Sequence, residues 1–177
     1  MKCVITYKSK YGHAKRYAEE LSRLTGADVM ECSDDGDLKG YEALVHVGGI
    51  YAGIISGLRR AAKRAESAGV GKLFVVTVGM TSPADAGYYQ KLADSARGGL
   101  PKSLKESAMF FNMRGGVDYK NLRGINKLIM KALVNSLKKT PEDKRTPENQ
   151  AMIDTYGESV DLSDMNALKP VADALNA

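Results

Sequence analysis

Short runs of β-forming residues alternate with helical segments from the start of the chain, and this alternation restricts the fold more than any other feature of the sequence. The strand-like runs cover residues 3–7, 28–32, 43–47, 73–78 and 109–112. Amphipathic helical patterns lie between them at residues 12–24, 56–68 and 84–97, with Ser56 as the expected N-cap of the second. Such alternation is typical of a parallel sheet with helices on both faces.

The order of the strands follows from the few windings that right-handed crossovers permit. The run at 73–78 is almost purely β-branched and aliphatic, which indicates a strand buried on both faces. We therefore expect an α/β fold with a doubly wound five-stranded parallel sheet in the order 2-1-3-4-5; a Rossmann winding is the alternative. A final helix is expected at 163–175. The prediction is a single domain over residues 1–177, with an extra helical segment at about 114–162 after the fifth strand.

Composition and charge argue against several classes of function. The chain carries 26 Lys and Arg against 21 Asp and Glu, a net charge of +5, but these residues are spread over helices, so no nucleic-acid partner is expected. The two histidines and two cysteines lack the spacing of metal ligands, and His46 is expected to be a hydrogen-bonded core residue. The N-terminus does not resemble a signal peptide and no run approaches the ~20 apolar residues of a membrane span, so a cytoplasmic location is expected.

The first strand ends in a small loop that leads directly into a helix. N–H groups at a helix start bind anions well, and a glycine lets the backbone curve closely around one. The candidate anion-binding residues are Ser9, Lys10, Tyr11, Gly12, His13 and Ala14. The loop matches neither a nucleoside-triphosphate P-loop nor the Gly-x-Gly-x-x-Gly of dinucleotide sites. An ordinary strand-to-helix connection with Ser9 as a helix cap is the alternative.

Two further glycine-containing loops follow the third and fourth strands. The candidate binding residues there are Ile50, Tyr51, Ala52 and Gly53 in the first loop and Gly79, Met80 and Thr81 in the second. In a doubly wound sheet, ligands bind beyond the carboxyl ends of the strands where the winding reverses, so the three loops predict one crevice. Tyr51 is suited to stack on a flat ring. Alternatively, Tyr51 packs against the following helix, and Ser82-Pro83 only begins a helix.

The segment 9–14 resembles the phosphate loop of flavodoxins, which combines hydroxyl residues with a glycine. Lys10 and Ala14 stand where hydroxyl residues are usual, which leaves more of the phosphate binding to backbone N–H groups and to Lys10. The resemblance implies a flavodoxin-like fold with flavin mononucleotide (FMN) as cofactor and with the other two loops beside the isoalloxazine. It also implies that Tyr51 and the backbone N–H groups near Gly79 and Met80 tune N1 and N5 of that ring.

The segment after the fifth strand is basic and partly apolar. Residues 114–119 are expected to form a loop or tight turn, in which Arg114, Asp118 and Tyr119 hold the turn or position a substrate. The helix predicted at 125–137, extended to 139 by two lysines, is expected to turn its apolar side to the core. That side consists of Leu128, Ile129, Ala132 and Leu133. Peripheral contact of the basic helix 125–139 with the inner face of an anionic membrane is the alternative.

This block is similar to the insertion of the flavodoxin-like family that includes the menaquinone-dependent protoporphyrinogen dehydrogenase, and the charge of +5 agrees with that branch. The resemblance implies an FMN-dependent oxidoreductase of that type, with a quinone or a redox partner protein as its electron partner. A non-catalytic flavodoxin that carries electrons is the main alternative, and a binding module without flavin is the third. The residues suggest no catalytic acid or base.

Overall fold

A central parallel sheet with helices on both faces forms the body of the protein in the computed structural model, which describes residues 1–120, 122, 124–145 and 147–176. The strands of this sheet are β1 (Cys3–Lys8), β2 (Asp28–Glu31), β3 (Ala43–Tyr51), β4 (Ile54–Ile55), β5 (Lys72–Gly79) and β6 (Met109–Arg114). They lie in the order β2-β1-β3-β5-β6, with the short β4 antiparallel to β3. Counted among the parallel strands alone, that order reads 2-1-3-4-5. The predicted α/β fold class is confirmed.

Helices cover the sheet on both faces, which explains why β3 and β5 are apolar along nearly their whole length. One face packs against α1 (His13–Thr25) and α7 (Lys169–Asn176), and the other packs against α2 (Leu58–Ser67), α3 (Ala86–Gly98) and the short α4 (Lys102–Lys105). Alternate residues of each strand therefore enter two separate cores. Val45 and Val76 lie in the first core, and Leu44 and Val75 lie in the second.

The start of α2 differs from the prediction. Ser56 does not cap this helix, because the cap is Gly57 in the left-handed conformation (φ 81°) and the helix begins at Leu58. The N–H of Ser56 donates instead to the carbonyl of Gly49, which continues the pairing of β3 with β4. The chain before α2 is thus a tight hairpin rather than a helix cap.

The segment that follows β6 folds outside the central sheet, and we call it the layer after β6. Its elements are β7 (Gly116–Asp118), α5 (Gly124–Lys139), a 3-10 turn (Glu142–Lys144), α6 (Pro147–Asp154) and β8 (Ser159–Asp161). A second 3-10 turn, Met165–Leu168, leads into α7. The loop predicted at 114–119 is wrong, because Arg114 ends β6 and Gly116–Asp118 pairs antiparallel with β8. The partner strand lies far along the chain, so no local pattern indicated it.

The orientation predicted for α5 is also wrong. Leu128, Ile129, Ala132 and Leu133 are exposed, whereas Val134 is buried. Within the described part of the chain, no helix combines the length and apolarity that a membrane span requires.

Candidate functional site

The winding of the sheet reverses between β1 and β3, and the loops beyond their carboxyl ends meet there. The helix after β1 packs on one face of the sheet and the helix after β3 packs on the other. The place where the two connections diverge is the usual position of a ligand crevice in such folds. The residues predicted from the sequence lie in the loops around it.

The loop after β1 leads into α1 without a side-chain cap. The N-cap of α1 is Gly12, held at φ 88°, and the first turn of α1 contains no acidic residue. A Cβ at Gly12 would meet nothing within 4 Å, so the space beside the helix start is open. Because the first-turn N–H groups carry partial positive charge, this end of α1 suits a phosphate group. The cap predicted in the alternative is wrong, because Gly12 and not Ser9 is the N-cap of α1.

The loop after β3 is a two-residue hairpin turn. Ile50 pairs with Ile55 and Tyr51 pairs with Ile54. The turn residues Ala52 and Gly53 both have positive φ, 48° and 75°, as tight hairpins require. These four predicted residues therefore form a tight hairpin at the carboxyl end of β3.

Tyr51 joins this hairpin to the loop after β1. Its ring packs over Gly49, where an added Cβ would lie 2.9 Å from the ring, and it meets the Tyr11 ring edge-on at 5.9 Å. The Lys10 Nζ lies 5.3 Å from the centre of the Tyr51 ring and 5.6 Å from that of Tyr11. Burial raises the pKa of Tyr51 to about 12, and a backbone hydrogen bond from Lys10 opposes the rise. Tyr51 thus faces the crevice loops, contrary to the alternative in which it packs on the following helix.

The loop after β5 touches the hairpin directly. A Cβ at Gly79 would lie 2.9 Å from the Ile50 Cδ1, so the two loops are in close contact here. The carbonyl of Met80 accepts from the Arg114 guanidinium at 3.4 Å, and that of Thr81 accepts from the Tyr89 hydroxyl at 2.9 Å. Ser82-Pro83 does not begin α3, because α3 begins at Ala86. Its cap is Asp85, whose carboxylate accepts from the N–H of Tyr88.

His13 and Ala14 contribute to the site less directly than predicted. The Ala14 side chain is buried in the core beneath the loop, so only its backbone can face a ligand. The His13 ring lies against Gly116, with its Nδ1 3.0 Å from the Ser163 Oγ and 3.4 Å from an Asp161 carboxylate oxygen. Burial lowers the pKa of His13, while the charge of Asp161 opposes this. His13 therefore connects the loop after β1 to the layer after β6.

That layer supplies residues that the sequence did not assign to the crevice. A small cluster consists of the buried Val117, Tyr119 and Leu122 with Tyr11, Met80, Met130 and Tyr156 packed against it. Tyr119 and Tyr156 meet edge-on at 5.3 Å. The cluster therefore packs against both the loop after β1 and the loop after β5. Arg114, Tyr119 and the extra segment were singled out in the sequence, but no signal linked the distant Tyr156 to them.

Arg114 has spare hydrogen-bonding capacity beside the loop after β5. Its Nε is buried and has no hydrogen-bond partner among the residues that the structure describes. A buried donor without a partner is costly, which points to a ligand acceptor or a bound water at this place. No group of three or more His, Cys, Asp or Glu side chains in the described chain could hold a metal ion.

These features fit FMN, the cofactor that the resemblance implies. The open start of α1 suits its phosphate, while the Tyr51 hairpin and the backbone of Gly79–Thr81 offer a ring-stacking surface and amide groups. The Arg114 Nε adds a donor that needs an acceptor. The carboxylate of Asp161, which binds Arg16, lies outside this set.

Comparison with known proteins identifies the family. The comparison with curated protein sequences finds no match. A flavoprotein from Lactobacillus acidophilus NCFM, solved in complex with FMN, aligns at 12% identity and a TM-score of 0.48, over 64% of this chain and 92% of that one. The Trp repressor binding protein from Bacillus subtilis aligns at 16% identity and a TM-score of 0.40, over 64% of this chain and 83% of that one. The model of the flavodoxin domain matches residues 4–144. The chain therefore belongs to the flavodoxin domain family.

Proposed function

We propose that the protein is an FMN-dependent oxidoreductase. The observation that carries this proposal is the meeting of the loops after β1, β3 and β5 beside an open helix start. FMN, when bound, supplies the electron-transfer chemistry that amino-acid side chains lack. The chain supplies binding, orientation and charge.

Each loop has a distinct task in this proposal. The first-turn N–H groups of α1 bind the phosphate, since Gly12 leaves them uncovered. Tyr51 would pack along the ring, and burial, which raises its pKa to about 12, keeps its hydroxyl protonated even in mildly alkaline solution. The backbone of Gly79, Met80 and Thr81 and the Nε of Arg114 hydrogen-bond the polar edge of the ring.

The layer over the crevice favours an enzyme over a simple carrier. Tyr119, Tyr156 and Met130 pack against the loops on either side, so the layer forms a wall of the crevice. We propose a reaction of the protoporphyrinogen-dehydrogenase-like type. In it, a reduced organic substrate loses two electrons and two protons in each turnover, and a quinone gains them and becomes a quinol. The cytoplasmic location expected from the sequence remains a prediction.

Absorption spectroscopy tests the cofactor. We expect the flavin bands of FMN to shift when the full chain is added, and we expect riboflavin, which lacks the phosphate, to bind much more weakly. A matched pair of glycine variants tests the phosphate contact. Gly12 and Gly40 both have positive φ and open space for a Cβ, but Gly40 lies in the turn before β3, at the opposite edge of the sheet.

Alanine at either position costs stability on the order of 1 kcal/mol. We expect G12A to weaken FMN binding by about tenfold, the loss of one charge-assisted hydrogen bond, and G40A to leave it unchanged. Equal FMN binding by G12A and the parent chain would contradict the assigned phosphate site. Flavin bands that do not shift would remove the proposal itself.

Turnover separates an enzyme from a carrier. The flavin-loaded protein, reduced chemically, is mixed with a short-chain quinone, and in a second assay the oxidised protein is mixed with a porphyrinogen. Oxidation of the porphyrinogen with reduction of the quinone supports the proposal. Failure in both assays, together with rapid exchange of electrons with a redox protein, would identify a carrier.

A further inference from the structure

A cavity of about 770 Å³ lies between α2 and α3 and is bordered by the β3–β4 hairpin. Its lining comes from residues 53–57, from the first half of α2 and from residues 92–100, in and just after α3. Pockets of about 300–1,000 Å³ are the size that small organic ligands occupy. None of the residues 9–14 or 79–81 lines this cavity, so it is separate from the crevice assigned to FMN.

The floor of the cavity is apolar. Ile55, Leu92 and Leu100 line it and are at most 9% exposed. Ile54, beside them on the hairpin, is 69% exposed and leaves an apolar side chain at the edge of the cavity. A hydrocarbon ligand would remove this surface from water, whereas a small inorganic ion would leave it wet.

The charged side chains at the cavity are all positive. They belong to α2 and are Arg59, Arg60, Lys63 and Arg64. None of the described residues that line the cavity is acidic. Two of the four cations already have partners, because Arg60 pairs with Asp35 at 3.2 Å and Arg64 donates to the carbonyl of Gly36 at 2.6 Å.

The other two cations, Arg59 and Lys63, remain available. Their side chains have no hydrogen bond or ion pair among the residues that the structure describes. The Arg59 guanidinium lies against Gly99, where an added Cβ would be 3.3 Å from its Nη2, so it is on the α3 side of the helix. Lys63 follows one turn later. Glu66 does not neutralise them, because it accepts from the Ser103 hydroxyl. Like charges four residues apart destabilise a helix, and an anion between them relieves this repulsion.

We propose that this cavity binds an amphipathic organic anion, a carboxylate on a hydrocarbon body such as a medium-chain fatty acid. The carboxylate binds Arg59 and Lys63, and the hydrocarbon lies along Ile54 and the apolar floor. The folded surface of an acidic protein is a poorer match, because a concave apolar floor is reached by a chain. Ile54 pairs with Tyr51, so the ligand adjoins the FMN crevice across the hairpin. The inference does not depend on the flavin.

Calorimetry with the full chain tests this site. The probe is decanoate below its micelle concentration, compared with decyltrimethylammonium, which has the same chain and the opposite charge, and with inorganic phosphate, which has no chain. We expect decanoate alone to bind. R59Q/K63Q should weaken its binding by about tenfold, as expected for two partly exposed ion pairs. I54S, which removes an exposed apolar side chain, should weaken it by about tenfold as well.

Two variants of α5 provide matched controls. K127Q/K131Q removes the same amount of charge from exposed positions outside the cavity. L128S/I129S removes two exposed apolar residues that could otherwise take up a fatty acid. Both should bind decanoate like the parent chain, and circular dichroism should show that every variant is folded.

Four results would overturn the proposal. Three of them are no binding of decanoate, equal binding by R59Q/K63Q and the parent chain, and inorganic phosphate bound as tightly as decanoate. The fourth is displacement of decanoate by FMN, which would place the ligand in the crevice. A chain that binds decanoate through Arg59 and Lys63 but shows no shift of the flavin bands would support this site and remove only the proposed FMN chemistry.

Discussion

His46 shows at the scale of one residue how the site is held in place. It has no exposed surface, and both ring nitrogens are used. Its Nε2 lies 2.8 Å from the Ser56 carbonyl and so carries the proton, while its Nδ1 accepts from the Thr6 hydroxyl at 3.0 Å. The expectation of a hydrogen-bonded core histidine is confirmed. Through Ser56 the ring fixes the chain between the β3–β4 hairpin and α2.

This histidine should make the protein sensitive to acid. Burial lowers the pKa of His46 to about 4 from an ordinary value of 6.5. The unfolded chain therefore binds a proton more readily, so the stability from neutral His46 is complete above pH 6.5 and is lost as the pH falls toward 4. Between pH 7.5 and 4.5, urea unfolding should show a loss of about 2–3 kcal/mol from this residue.

The variant H46Q isolates that contribution, because glutamine has a similar donor and does not titrate. It should be less stable than the parent at pH 7.5 and lose less stability on acidification. The same loss in both proteins would assign the acid sensitivity elsewhere, for instance to His13, whose pKa is also lowered by burial.

At the scale of elements, β8 is tied to the start of α1 through Asp161. Its carboxylate binds the Arg16 guanidinium and lies 3.4 Å from the His13 Nδ1. Burial acts to raise the pKa of Asp161, but hydrogen bonds from Ser163 and Arg16 hold it below its ordinary value. The negative charge in turn raises the pKa of His13 against the effect of burial.

Asp161→Asn should therefore lower the pKa of His13 further. An NMR titration of the ring measures this, with D35N as the control, since Asp35 pairs with the exposed Arg60 of α2, on the opposite face of the sheet from α1. Because the Arg16–Asp161 pair is about half exposed, stability should change by less than about 1 kcal/mol. A rise in the His13 pKa, or an equal change in D35N, would contradict the assigned interaction.

The same elements show what the sequence could and could not predict. The five parallel strands and the first three helices could be located because each has a local periodicity. The hairpin turn before β4 places Ala52 at positive φ, a conformation that the residue type does not predict. β7 pairs with β8, which is distant in the sequence, so no local pattern predicts this pairing. For α5 the pattern showed apolar residues but not which side the fold would bury, since Met130 and Val134 occupy the opposite side.

At the scale of the whole molecule, two parts of the fold contribute to the candidate site: the central sheet and the layer after β6. The sheet supplies the loops after β1, β3 and β5, which the sequence located because parallel strands place their carboxyl ends on one edge. The layer after β6 supplies Tyr119, Tyr156 and Met130, whose positions depend on tertiary contacts that no local pattern encodes. The flavodoxin family assignment and the predicted FMN cofactor agree with each other.

Binding of FMN should therefore stabilise both layers together. Tyr11 contacts Tyr51 on one side and the Tyr119 cluster on the other, so a ligand that fixes the first loop also restricts the layer over it. Hydrogen exchange with and without FMN should show slower exchange in residues 9–13, 50–53 and 79–81, and also in β7 and β8. Amides of α4, which lies away from the crevice, serve as the internal control. If the slowing is confined to the three loops, the layer is a neighbour of the site rather than a wall of it, and the proposed enzyme activity loses its support.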